Sequence, residues 1–121
     1  MKKIQYNYSP TGSGDIEIKQ STIHGLGVFA KRNLPKNFIV GETHVLVDSD
    51  LIRTPIGGFI NCSSTPNAEL FQYPKLKRVN YYGVRLINSV IDGEEITIDY
   101  NKGMSTILGE EIELINLKCQ K

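Results

Sequence analysis

Residues 58–67 read GFINCSSTPN, and this stretch decides how the rest of the chain is interpreted. Apolar residues run directly into a dense polar cluster that ends in Pro66-Asn67. One interpretation is a strand end followed by an Asn/Ser turn, because such side chains hydrogen-bond to nearby backbone and favour turns. The other is a polar pocket at the end of a strand, where an asparagine offers both a donor and an acceptor. The stretch by itself leaves both interpretations open.

A glycine-rich turn lies upstream, where residues 25–30 read GLGVFA. This spacing matches the G-x-G-x-x-G/A fingerprint of dinucleotide-binding proteins, which requires a helix directly after the glycines. Pro35 ends any helix here after a few residues, and the chain is too short for a doubly wound sheet. We therefore reject a dinucleotide-binding fold. A weaker inference survives, that the glycines let the backbone approach a ligand closely.

A third stretch, residues 92–100, reads DGEEITIDY and predicts a turn followed by an alternating strand that ends in Tyr100. Taken alone, it is a strand with a surface turn. The two histidines, His24 and His44, do not indicate a Ser-His-Asp triad, because no nucleophile elbow accompanies them. His44 lies in a strand-like run and is interpreted as a structural histidine.

Alternation of polar and apolar residues predicts a mostly β domain. The predicted strands span residues 15–20, 28–30, 38–47, 68–73, 80–87 and 95–100, and residues 48–58 are predicted to be a connector. Residues 1–14 are expected to form an N-terminal arm. The tail fits both a helical stripe and an alternating strand, and a short C-terminal helix is the favoured interpretation.

Length and composition describe one small domain of 121 residues, 40% hydrophobic and 22% charged. The net charge of +1 gives no general attraction to nucleic acid or to an anionic membrane. Cys62 and Cys119 form no C-x-x-C pair, so a structural zinc site is not expected. No apolar run indicates a secretory signal or a membrane span. We expect a soluble intracellular protein, in the cytoplasm or, for a viral protein, inside the host cell.

Taken together and in this order, the motifs resemble those of the SET-domain family of protein lysine methyltransferases. The family's first motif is a G-x-G turn, similar to residues 25–27, and its next element is a turn with a strand, similar to the chain from Leu34 onward. Its F-x-N-H-S-x-x-P-N motif is similar to residues 59–67, and its final R-x-I-x-x-G-E-E-L-x-x-D-Y motif to residues 85–100. The resemblance covers residues 15–101, and motifs in the right order and spacing are hard to obtain by chance.

The resemblance implies a fold, the SET-domain β-clip of small antiparallel sheets. It also implies a pseudo-knot, in which the C-terminal segment passes under an earlier loop and brings the Asn61 and Tyr100 stretches together. Such threading is an exception among folds. The SET domain would span residues 15–103, and residues 104–121 would close the substrate channel. Compact, stand-alone viral or bacterial members have this size and often self-associate, so a homodimer is one expected state.

The implied activity is methyl transfer from S-adenosylmethionine to a lysine side chain of a protein or peptide substrate. Tyr100 is the implied catalytic residue, whose hydroxyl orients the amine and the methyl group. The implied cofactor contacts are spread over the three motifs: His24, Gly25, Leu26, Gly27, Asn61, Cys62 and Tyr100. No metal ligand is implied.

The sequence departs from the family at the lysine channel, which tyrosines normally form. Thr43 stands where a G-E-Y tyrosine is expected, and Leu70 or Phe71 occupies the tyrosine position after Pro-Asn. Cys62 replaces the usual histidine, at a position that acts mainly through its backbone. These departures motivate an alternative function, a non-catalytic SET-like binding module that retains the cofactor pocket or only the scaffold.

Overall fold

The computed structural model describes residues 14–74 and 78–102. Strands dominate this part of the chain, as alternation predicted. In chain order the elements are β1 (Ile16–Gln20), β2 (Leu26–Ala30), β3 (Ile39–Val47), β4 (Asp50–Arg53), α1 (Pro55–Phe59), β5 (Asn61–Cys62), β6 (Ala68–Gln72), β7 (Val79–Leu86) and β8 (Glu95–Ile98). The predicted N-terminal arm, apart from Gly14, and the predicted C-terminal helix lie outside the described residues.

The first sheet has the strand order β1-β2-β8-β5. In β1, Ile16 and Ile18 are buried while Glu17 and Lys19 are only partly covered, which is the period of two that a half-buried strand requires. Antiparallel pairing with β2 joins Ile16 to Ala30. β8 then pairs antiparallel with the other edge of β2.

β8 lies between two strands that are distant in sequence, because β5 pairs with it on the side away from β2. The β5–β8 pairing is parallel and joins Asn61 to Thr97 and Cys62 to Ile98. It places the Asn61 stretch directly beside the strand that leads to Tyr100. The threading of the tail under a loop stays a prediction, since residues 103–121 lie outside the described part of the chain.

The second sheet is antiparallel throughout, with the strand order β4-β3-β7-β6. β3 and β4 form a hairpin whose last pair is Val47 with Asp50, so Asp48 and Ser49 make a two-residue turn. Asp48 has a φ of 57°, a left-handed conformation that aspartate tolerates better than most residues. The prediction of a connector over residues 48–58 was therefore wrong. The segment folds because the partner for β4 is its immediate neighbour in the chain.

The second half of that segment forms α1, a helix of five residues. Thr54 caps its N-terminus by accepting a hydrogen bond from the Gly57 N–H, and Pro55 occupies the first turn, where a missing N–H costs nothing. The Thr54 hydroxyl also donates to the Glu42 carbonyl at 2.6 Å, which ties the helix to β3.

The core lies where the two sheets meet and consists of aliphatic side chains from nearly every strand. Its most completely buried members are Ile16, Val28, Val84, Leu86 and Ile96. An isolated bridge between Leu34 and Val90 closes the loops beside the core through two backbone hydrogen bonds of 2.9 Å. The fold is mostly β and built from small sheets, as predicted.

Candidate functional site

The side chain of Asn61 gathers the glycine-rich turn around itself. Its Nδ2 donates to the His24 carbonyl at 3.1 Å, to the Leu26 carbonyl at 3.2 Å and to Glu95 Oε2 at 2.8 Å. Asn61 is only 5% exposed. The structure thus brings together three of the predicted cofactor-binding residues, and we call Asn61, the 24–27 turn and Glu95 the cradle.

Glu95 is a member of the cradle that sequence reasoning missed. Ser21 Oγ donates to both of its carboxylate oxygens, at 2.7 and 3.0 Å. The carboxylate and the neighbouring backbone carbonyls of His24 and Leu26 make this a region of acceptors. Such a set of groups suits the ammonium group of a ligand, because a cation needs acceptors and a compensating negative charge.

The glycines of the turn are needed for two different reasons. Gly25 has a φ of 46°, in the left-handed region that glycine adopts without a steric penalty. Gly27 has an ordinary φ, but a Cβ at this position would overlap the Glu95 carboxylate and approach Asn61 Nδ2. Its missing side chain therefore lets Glu95 and Asn61 come together beneath the turn.

Cys62 connects the cradle to the segment around Tyr100. The backbone N–H of Tyr100 donates to Cys62 Sγ at 3.3 Å, and the Ser63 N–H donates to the Ile98 carbonyl at 2.9 Å. Cys62 is also disulfide-bonded. The two hydrogen bonds hold the end of β5 against the end of β8.

Tyr100 lies beside a cavity of about 260 Å³. Its hydroxyl donates to the Ile60 carbonyl at 2.7 Å, and Ile60 immediately precedes Asn61. Burial raises the pKa of Tyr100, and the positive charge of Arg53 opposes part of that increase. The hydroxyl is therefore a neutral donor at physiological pH.

The wall of this cavity comes from the β3–β4 hairpin, α1 and the ends of β5 and β8. The lining residues are His44, Leu51, Arg53, Gly57, Gly58, Ile60, Ile98 and Tyr100. Most of this surface is apolar, and the polar exceptions are His44, Arg53 and Tyr100. We call this space the Tyr100 cavity.

The three residues predicted to form the substrate channel do not line the Tyr100 cavity. Thr43 is fully buried, and its hydroxyl donates to the Tyr82 carbonyl at 3.4 Å. Thr43 has no partner in the register of β3 with β7, which passes from Glu42–Gly83 to His44–Tyr82, so it is the extra residue of a β-bulge. The bulge leaves His44 rather than Thr43 beside the cavity.

Leu70 and Phe71 lie on β6, at the far edge of the second sheet from β4. Leu70 borders a separate small cleft together with Asp99 and Lys102. The Phe71 ring packs 4.7 Å from the Tyr73 ring and lies 4.8 Å from the Arg85 guanidinium. One strand, β7, separates β6 from the β3–β4 hairpin that borders the Tyr100 cavity.

Sequence reasoning also missed His44 and Arg53 as residues of this cavity. They are directly paired across the β3–β4 hairpin, so recognising the two-residue turn after Val47 would have placed them side by side. Burial lowers the pKa of His44, and the charge of Arg53 lowers it further. His44 is consequently a neutral imidazole at pH 7.

A larger cleft, of about 500 Å³, lies elsewhere and contains none of the predicted site residues. Its polar side chains include Asp15, Glu42, Thr54 and Tyr73. Burial, followed by the charge of Glu42, raises the pKa of Tyr73. Among residues 14–74 and 78–102, no cluster of three His, Cys, Asp or Glu residues could hold a metal ion. None of the helices described there is long and apolar enough to cross a bilayer.

Neither a protein-family model nor a curated protein matches the chain. Solved structures do, and 141 chains resemble it. One is the crystal structure of a "putative histone methyltransferase" from Plasmodium falciparum, which is 25% identical in sequence and superposes with a TM-score of 0.62. The match covers 73% of this chain and 94% of that chain. The likeness supports a SET-like fold.

Proposed function

We propose that this protein transfers a methyl group from S-adenosylmethionine to a lysine side chain of a protein substrate. Support comes from the structural likeness to a protein described as a "putative histone methyltransferase". It also comes from the positions of the two candidate binding regions. Ile60 contacts Tyr100 beside its cavity, and the next residue, Asn61, holds the cradle together. The observation that carries the proposal is the bond from the Tyr100 hydroxyl to the Ile60 carbonyl, because the next side chain, that of Asn61, organises the cradle.

The residues of the cradle fit the charged end of S-adenosylmethionine. Asn61 Nδ2 is committed to protein acceptors, and its Oδ1 has no hydrogen-bond donor within the described residues. Oδ1 would therefore accept from the cofactor's ammonium group, with the Glu95 carboxylate supplying negative charge nearby. Gly25 would allow the backbone to approach the ligand, because the space beside it is open, whereas Gly27 leaves room for the Glu95 carboxylate.

When bound, the cofactor supplies an electrophilic methyl group on a sulfonium. The lysine nitrogen must first lose a proton, since its ordinary pKa is about 10.4 and only the neutral amine has a lone pair. The lone pair of the neutral amine would then form the nitrogen–carbon bond as the carbon–sulfur bond breaks, and the electron pair of the broken bond would stay with sulfur. The methylated nitrogen carries the positive charge and later releases a proton to solvent. The mostly apolar wall of the Tyr100 cavity would favour the neutral amine.

Within this reaction, Tyr100 would act by orientation. Its hydroxyl is already directed by the Ile60 carbonyl, so the oxygen is fixed in position with its lone pairs free to face the cavity. Holding the amine and the methyl group in line can lower a barrier by several kcal/mol without a strong acid or base.

A specific observation favours one alternative, a non-catalytic module that binds the cofactor. Among residues 14–74 and 78–102, Tyr100 is the one tyrosine that lines its cavity. The residues at the expected tyrosine positions, Thr43, Leu70 and Phe71, are not part of that lining. A module of this kind would bind S-adenosylmethionine at the cradle and transfer no methyl group.

Calorimetric titration with S-adenosylmethionine, followed by radiolabelled methyl incorporation into a mixed protein lysate, tests the proposal. We expect binding, and incorporation that falls roughly 100-fold in Tyr100→Phe because the ring and its packing remain while the orienting hydroxyl is lost. Tyr81→Phe is the matched control, since Tyr81 is exposed and lies outside both binding regions. Binding without incorporation by the parent would favour the module, and no binding would reject both functions.

A further inference from the structure

His44 occupies a position that the mechanism above leaves without a role. It is 8% exposed, follows the bulge residue Thr43 in β3 and borders the Tyr100 cavity. A structural histidine normally has both ring nitrogens occupied by protein partners. Within the described residues, only Nδ1 of His44 has such a partner.

The bond to Thr43 determines which ring nitrogen of His44 carries the proton. A threonine hydroxyl has one proton, and that of Thr43 is donated to the Tyr82 carbonyl. Thr43 Oγ1 can then only accept from His44 Nδ1, which lies 2.9 Å away. With the Thr43 hydroxyl donating to Tyr82 at 3.4 Å and accepting from His44 at 2.9 Å, the proton lies on Nδ1 and a lone pair on Nε2. A hydroxyl that donated to Nδ1 instead would reverse the two nitrogens, and the tautomer measured by NMR distinguishes the two arrangements.

The Nε2 atom of His44 has no hydrogen-bond partner within the described part of the chain. Every fully buried side-chain nitrogen or oxygen there has one, so Nε2 must reach open space. The space that His44 borders is the Tyr100 cavity. This cavity thus contains an unused acceptor.

The groups around His44 keep that acceptor neutral and would also act on a bound amine. Arg53 faces it from β4, Tyr82 from β7 and Tyr100 from across the cavity, while α1 contributes Gly57 and Gly58. Burial and the Arg53 charge keep the pKa of His44 below its usual value. The same positive charge disfavours an ammonium group in the cavity and favours the neutral amine that methyl transfer requires.

We infer that Nε2 of His44 accepts a hydrogen bond from the substrate amine in the Tyr100 cavity, where it takes the place of a channel tyrosine. This inference rests on the proposed function and identifies the group that would orient the amine. An N–H of the amine donates to Nε2, which fixes the direction of the nitrogen lone pair. His44 does not remove the proton from the substrate, because an imidazole of low pKa is far too weak a base for an ammonium of pKa about 10.4.

Nitrogen-15 NMR of the two histidines tests the acceptor without any measurement of activity. The spectrum of His44→Gln identifies the His44 signals, since only His24 remains. We expect His44 in the Nδ1–H tautomer at pH 7, with protonation only below pH 6.5. Adding n-butylamine to the complex with S-adenosylhomocysteine, at about pH 10 where a large share of the amine is neutral, should move the Nε2 resonance of His44. The Nε2–H tautomer, or no response to the amine, would contradict the inference.

Two substitutions test the role in transfer. Glutamine offers a side-chain oxygen as an acceptor and leucine offers none, so methyl incorporation should fall roughly 10-fold or more in His44→Leu and much less in His44→Gln. The acid limb of the parent's pH profile, expected below pH 6.5, should disappear in His44→Gln. Equal losses in the two variants, with folding verified by circular dichroism, would show a structural role instead.

Calorimetry separates this inference from the proposed function. S-adenosylmethionine should bind both His44 variants as tightly as the parent, because His44 lies outside the cradle. If the parent transfers no methyl group, the proposed function is rejected, while the NMR titration with butylamine still decides whether His44 binds an amine.

Discussion

At the scale of single residues, two adjacent residues, Ile60 and Asn61, contact different parts of the site. Ile60 offers its carbonyl to Tyr100, and the adjacent Asn61 offers its side chain to the glycine turn and to Glu95. One peptide unit therefore connects the Tyr100 cavity and the cradle. A change at Asn61 should act on the cradle, whereas a change at Tyr100 should act on transfer.

Asn61→Ala should weaken the binding of S-adenosylmethionine by about 1–3 kcal/mol, because it removes an acceptor for the ligand and leaves buried groups of the turn without a donor. Asn88→Ala is the matched control, since Asn88 is exposed and its side chain has no hydrogen bond within the described residues. Titration calorimetry measures both variants. Equal affinity of Asn61→Ala and the parent would remove Asn61 from the cofactor site.

At the scale of elements, α1 positions one wall of the Tyr100 cavity by packing closely on β3. The backbone of Gly57 lies so near the Thr43 carbonyl that a Cβ at position 57 would overlap it, whereas a Cβ at position 58 would meet open space. The two adjacent glycines therefore provide a matched pair of substitutions.

Gly57→Ala should lower the free energy of unfolding by about 1–3 kcal/mol, the usual cost of forcing an extra group into a packed site. Gly58→Ala should have no such cost, because alanine has a higher helix propensity and nothing obstructs it. Urea denaturation of the two variants compares them directly. If both had the same midpoint, close packing of α1 on Thr43 would not determine stability.

At the scale of the whole molecule, the described core runs from Ile16 to Ile98 and draws on both sheets. The strands that hold the cradle and the Tyr100 cavity are all formed by residue 98. We therefore expect the sheets to form without the tail, whose predicted task is to close the substrate channel.

A chain that ends after Gly103 should stay folded, with a cooperative thermal transition by circular dichroism, and should lose methyl transfer. Because the removed segment contains Cys119, the parent is compared in the presence and absence of a reducing agent, so that the loss of a cysteine is not mistaken for the loss of channel closure. Failure of the truncated chain to fold would show that the tail belongs to the core.

Local patterns in the sequence were sufficient for most strands. β1 could be predicted from the alternation around Ile16 and Ile18, because successive side chains of a strand point to opposite faces. The turn before β8 could be predicted from Asp92-Gly93, because glycine readily adopts the positive φ found there. Motif order then indicated the fold, and it indicated that Asn61 would lie near the strand before Tyr100. The hairpin of β3 and β4 was missed because the Asp48-Ser49 turn was interpreted as part of a long connector.

Only the tertiary structure decided which side chains border the Tyr100 cavity. The bulge at Thr43 shifts the alternation of β3 by one residue, and such a shift moves side chains to the opposite face. Strand order placed Leu70 and Phe71 at the far edge of the sheet and brought Glu95 beneath Asn61, although 34 residues separate Glu95 and Asn61 in the chain. The alternation of polar and apolar residues and the residue types that favour turns are local features, so they can be derived from the sequence. Bulges and strand order depend on contacts between distant segments, which form only when the whole core packs.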